Sequence, residues 1–159
     1  MKDDLLREAE CVYETVRAAA ADALQAGRAE LTLTTARERY GETPDDFPVV
    51  MLSPMASDAA PVVVEVQRAD LWWLLTADGP GTEFYVGMEG DRHRRLRILV
   101  EAVIAGRYVH GPAALDARAA REVVDAGGWI ETFETGEGEI SSRHFGRDPP
   151  PEPRRFAPY

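Results

Sequence analysis

A chain of 159 residues that is 45% hydrophobic is close to the usual size of one domain and carries enough apolar surface to close one core. Its formal charge of −10 argues against a general nucleic-acid binder, because polyphosphate is met by clustered cations that release condensed counterions. A single cysteine, Cys11, excludes an intrachain disulfide and a four-cysteine zinc site, and no stretch approaches the roughly 20 apolar residues that cross a bilayer.

The first residues carry acids and run into an amphipathic pattern, so no secretory leader is expected and a reducing, cytoplasmic setting fits best. Lys2 is the sole lysine among 18 basic residues, an arginine bias that suits a GC-rich bacterial genome. The acid is unevenly placed: residues 1–60 hold 12 acids against 6 bases, residues 61–110 hold 7 against 6. Such a balance favours solubility or a basic partner.

In chain order, Leu5, Ala9, Val12, Val16, Ala20 and Leu24 recur at three- and four-residue spacing, predicting one helix from Asp3 to Ala26 that Gly27 ends. Glu30 to Thr35 alternates as a half-buried strand does. The pattern then breaks through a turn-rich segment holding Asp45 and Asp46, before the apolar run Val49 to Leu52. Val62–Gln67, Leu71–Thr76 and Thr82–Met88 read as three strands on short connections, hence an antiparallel meander. The middle one is apolar on both faces and belongs inside the sheet. Asp91 is placed as the N-cap of a helix with Leu96, Leu99, Val100 and Val103 inward, and Gly106 closes it. Pro112 opens a further helix to about Ala126, and Trp129–Glu134 with Glu139–Phe145 makes a hairpin. Five prolines from Pro149 onward argue against ladder hydrogen bonds in the last residues.

The expected fold is therefore α+β: a single domain over residues 1–147, with an antiparallel sheet of about five strands flanked by about three helices, then a proline-rich extended or disordered tail over residues 148–159.

Motifs for chemistry are absent. The histidines His93, His110 and His144 have no metal-ligand spacing, the serines lack a nucleophile context, and Cys11 reads as a small buried or boundary side chain. Glu131, Glu134, Glu137 and Glu139 on the last hairpin read as solvated carboxylates. No cofactor or metal is called for, and the balance leans away from an enzyme. Candidate binding residues remain. Trp72 and Trp73 must point to opposite faces of their strand, so one can be core while the other meets a partner. Asp45 and Asp46 belong to the acidic first third. Arg92 and Arg95, at the start of the Asp91 helix, could hold an anion on free backbone amides. The favoured function is a non-catalytic acidic module, of the intracellular inhibitor or immunity type, that holds a basic protein. The alternative is a small-molecule or anion-binding domain, with or without enzymatic activity, whose pocket lies between the central sheet and the Asp91 helix.

Overall fold

The computed structural model describes residues 3–76, 83–85, 91–110, 118, 121–122, 128–145 and 154–159. Helix α1, Asp3–Ala19, places Asp3 and Asp4 in its first turn and Arg17 in its last, the signs its dipole favours, and buries Ala9, Val12 and Val16. The predicted single helix is broken at Ala20, which leaves the helical region and starts a separate short helix α2, Ala21–Gln25. Gly27 terminates this stretch at φ +68°.

Strands β1 (Ala29–Thr35), β2 (Pro48–Pro54), β3 (Val62–Arg68), β4 (Leu71–Leu75) and β5 (Glu83–Tyr85) form one antiparallel meander in chain order. The β4 strand lies between β3 and β5, as its two apolar faces require, with Trp72 and Leu74 buried on one face and Trp73 half-buried on the other. Between β1 and β2 sits helix α3, Ala36–Tyr40, too short to show a periodic stripe. A capping box starts it: Thr35 accepts from the Glu38 amide while Glu38 accepts from the Thr35 amide. Ala36 is thereby pressed onto the outer face of the sheet against Val49 and Val63.

Helix α4, Arg92–Ile104, is capped by Asp91, whose Oδ1 accepts from the Arg94 amide at 3.0 Å. Beyond it lies a second antiparallel sheet, in the order β8-β7-β6-β9, built from β6 (Tyr108–His110), β7 (Gly128–Thr135), β8 (Gly138–Phe145) and β9 (Arg154–Arg155). The class is α+β, but the expected one sheet of about five strands is two sheets, of five and four strands, with four helices among the described residues. The extra strands escaped the sequence because β6 and β9 span only three and two residues. The helix expected from Pro112 lies mostly outside the described residues, and 118, 121 and 122 are helical.

The two sheets share one core. Helix α1 packs on β2 and β3, α4 packs on β7, and the two helices pack on each other. Val50, Leu52, Val64 and Leu74 meet Val12, Val16, Leu99 and Val103 in that cluster, each at 0–1% exposure. Burial of this kind stabilises by about 1.5–3 kcal/mol per side chain, so the interior fixes how the sheets sit. The last residues stitch the molecule together. Arg154 and Arg155 pair with His110 and Val109, a ladder the prolines had argued against, because these two residues keep their amide hydrogens. Ala157 bridges to Ala59, and Phe156 and Tyr159 are buried.

Candidate functional site

Asp45 and Asp46 lie on one wall of a cleft of about 920 Å³. The first turn of α1 contributes Asp4 and Leu5, the loop before β2 contributes Asp45, Asp46 and Phe47, and the β3–β4 turn contributes Gln67, Arg68, Ala69 and Asp70. Each wall has a local cause. Asp4 is carried at the N-terminus of α1, where its charge suits the helix dipole. The Asp46 carboxylate accepts from the Arg37 amide at 3.1 Å, which fixes the loop against α3. Thr43 donates to the Asp45 carbonyl at 2.8 Å and tightens the same turn. Among the described lining residues the basic one, Arg68, is held in a two-point pair by Asp70, at 2.9 and 2.8 Å. The described lining therefore carries four carboxylates and one already paired guanidinium, with Leu5 and Phe47 as its large apolar members.

The other sequence-selected residues lie elsewhere. Trp72 is 2% exposed and belongs to the core. Arg92 lies over its ring at 4.9 Å, and the His93 ring makes an edge-type contact with it at 4.9 Å between centroids. Glu8 from α1 pairs with Arg92 at 3.1 Å, and Thr15 hydrogen-bonds the His93 Nδ1 at 2.9 Å. Arg92 is thus part of the α1–α4 joint, its charge answered from within the fold. Arg95 is exposed on α4 and is not brought to the acidic cleft. Trp73 stands on the outer face of the first sheet, opposite Glu65 and Tyr85 in the ladder. The space between the first sheet and α4 is filled by the shared core.

A third cluster was not read from the sequence. Thr76 at the end of β4 donates to the Tyr108 hydroxyl, and that hydroxyl lies 2.5 Å from the His110 Nε2. Thr76 and Glu131 are fully buried and His110 is 4% exposed. Glu131 stands opposite His110 in the β6–β7 register. Burial first, and the Glu131 charge second, push the Tyr108 phenol well above its ordinary range. The expectation of solvated hairpin carboxylates is therefore corrected at Glu131. The available signal was its two-residue spacing from Phe133, which puts both on the same face of a strand. Glu134 differs: its carboxyl is held below the usual range by the hydrogen bond from Arg155. Cys11 is exposed on α1, contrary to the buried or boundary position expected. It follows Glu10 and precedes the buried Val12, on the outward side of the stripe.

Among the described residues, no group of three or more His, Cys, Asp or Glu side chains is placed to hold a metal ion, and no helix is long and apolar enough to cross a membrane. No protein-family model, curated protein or solved structure matches the chain.

Proposed function

We propose that this protein is a non-catalytic binding module that holds a basic partner protein in the Asp4–Asp45–Asp46–Asp70 cleft. The observation that carries the reading is the charge of that cleft, whose described lining holds four carboxylates and one guanidinium that Asp70 already engages. An arginine or lysine from outside would meet carboxylate acceptors in the cleft, and Leu5 and Phe47 would offer apolar surface for its methylene stem. The formal charge of −10 adds a field of the same sign, which would help to draw a cationic partner in. Masking a cationic surface inside the cell, as an inhibitor or immunity-type protein does, uses these properties and needs no catalytic group. The anion-binding alternative draws less support, because Glu8 opposes Arg92 and the core occupies the space beside α4.

The test compares capture from host lysate by the native chain, by an Asp45→Asn/Asp46→Asn variant, and by a control that removes two charges elsewhere, Asp22→Asn/Glu30→Gln. A basic protein held by the native chain and the control, released by salt, and bound about tenfold or more weakly by the cleft variant would support the reading. Equal retention by the cleft variant, or binding indifferent to salt, would remove it.

A further inference from the structure

The buried bridge between the sheets has a direction. Thr76 Oγ1 donates to the Tyr108 hydroxyl. A hydroxyl has one hydrogen, so Tyr108 can give it to the His110 Nε2, which accepts only when the ring is neutral and carries its hydrogen on Nδ1. The order Thr76 to Tyr108 to His110 therefore belongs to the uncharged imidazole. It also joins two separate sheets, since Thr76 follows β4 of the first and Tyr108 and His110 lie in β6 of the second.

We propose that Thr76, Tyr108 and His110 form a proton-operated latch between the two sheets, closed while the His110 ring is neutral and released when the ring takes a proton from solvent. Protonation puts a hydrogen on Nε2, so Tyr108 loses its acceptor and two donors face each other. The chain can reverse only if Tyr108 turns its hydrogen toward Thr76, and the buried Thr76 hydroxyl must then find another acceptor. The Tyr108 phenol keeps its hydrogen throughout the neutral range, because burial and the Glu131 charge both disfavour its ionised form.

The groups around His110 decide the sign. Among the described residues, β6 presents Tyr108, β7 presents Glu131 and β9 presents Arg154 and Arg155. Arg154 lies over the Phe156 ring at 4.4 Å, and that ring makes a T-shaped contact with His110 at 5.0 Å between centroids. Arg155 is paired with Glu134. Glu131 offsets part of the cost of an imidazolium, while the Nε2 acceptor that Tyr108 uses is lost all the same. Arg154, of the same sign as the imidazolium, works the other way. The latch thus favours the neutral ring. Its contribution is complete above the value at which imidazole titrates in the unfolded chain, about 6.5, and is lost as pH falls below it.

Thermal unfolding of the full chain from about pH 8 to about pH 5, a span that brackets the imidazole range, tests this. The native chain should lose about 2–4 °C more than His110→Gln, whose amide accepts from Tyr108 but does not titrate. Glu131→Gln should make the loss larger. A His110→Gln profile parallel to that of the native chain, or native stability that rises as pH falls, overturns the latch. If His110→Gln does not fold, ring-nitrogen NMR of the native chain decides: Nδ1–H with an accepting Nε2 at the alkaline end, and a Tyr108 ring shift that moves with His110, support it. A Tyr108 ring blind to that titration overturns it.

Discussion

Tyr40 is 45% exposed, yet its hydroxyl donates to Glu65 at 2.5 Å across the outer face of the first sheet. Partial burial, with the Glu65 hydrogen bond behind it, raises the phenol to about 12. An unfolded phenol titrates near 10, so folding favours the protonated form. That contribution is complete below the unfolded value and disappears as pH rises through about 12. Glu65→Gln removes the carboxylate and should bring Tyr40 part of the way back, leaving the share due to burial. Ring-carbon NMR of Tyr40 in an alkaline titration checks this, and an unchanged midpoint in the variant would contradict it. Neither Tyr40 nor Glu65 stood out in the sequence as a pair, because only the β2–β3 register and the α3 cap bring them within reach.

Elements with their own periodic signal were legible and those without it were not. The stripe Ala9, Val12, Val16 announces α1, and short polar turns between apolar runs announce the meander. The break at Ala20 was invisible, since alanine favours continuing a helix and tertiary packing overrode that preference. Five residues of α3 and three of β6 are too few for any period to show. Half of the acidic cleft was likewise readable. Asp45 and Asp46 are neighbours in a turn segment, whereas Asp4 and Asp70 join them only through the placing of α1 beside the β3–β4 turn.

At the end of α4, Gly106 takes φ +69°, and a Cβ there would lie 2.8 Å from the Pro158 nitrogen. Gly27 has a similar φ of +68° but open space around it. Gly27→Ala should therefore show only the backbone cost, on the order of 1–2 kcal/mol. Gly106→Ala should lose more, because the main chain at Pro158 must also move. Denaturant midpoints of the two variants measure the difference, and equal losses would mean that residues 157–158 yield freely.

Seen across the whole molecule, residues 154–159 reach both sheets. The Tyr159 amide donates to the Ile104 carbonyl at 3.0 Å, its carbonyl accepts from Arg28 at 2.6 Å, and its hydroxyl donates to the Ala60 carbonyl at 2.6 Å. Where this segment meets β6, the Phe156 ring stacks on Tyr108, and Phe133 lies tilted against the same ring. Phe156 and Tyr159 were passed over in the sequence because the five prolines around and before them read as a linker. Tyr159→Phe leaves the buried Ala60 carbonyl without this donor and should cost about 1–3 kcal/mol.

That stitching also sets an order of assembly. The first sheet joins each strand to its neighbour in sequence, so it closes short loops and can form early. The Tyr159 hydroxyl finds its acceptor 99 residues away, a long loop whose closure is rewarded only once Ala60 and Leu52 are already in place. Stopped-flow kinetics of Tyr159→Phe should then show a φ-value near zero: refolding at the native rate, and unfolding that carries nearly all of the lost stability. A slowed refolding arm would instead put the terminal tyrosine in the nucleus. On the order of events drawn from the topology, the final residues act as a kinetic clasp, setting how long the folded chain survives once it has formed.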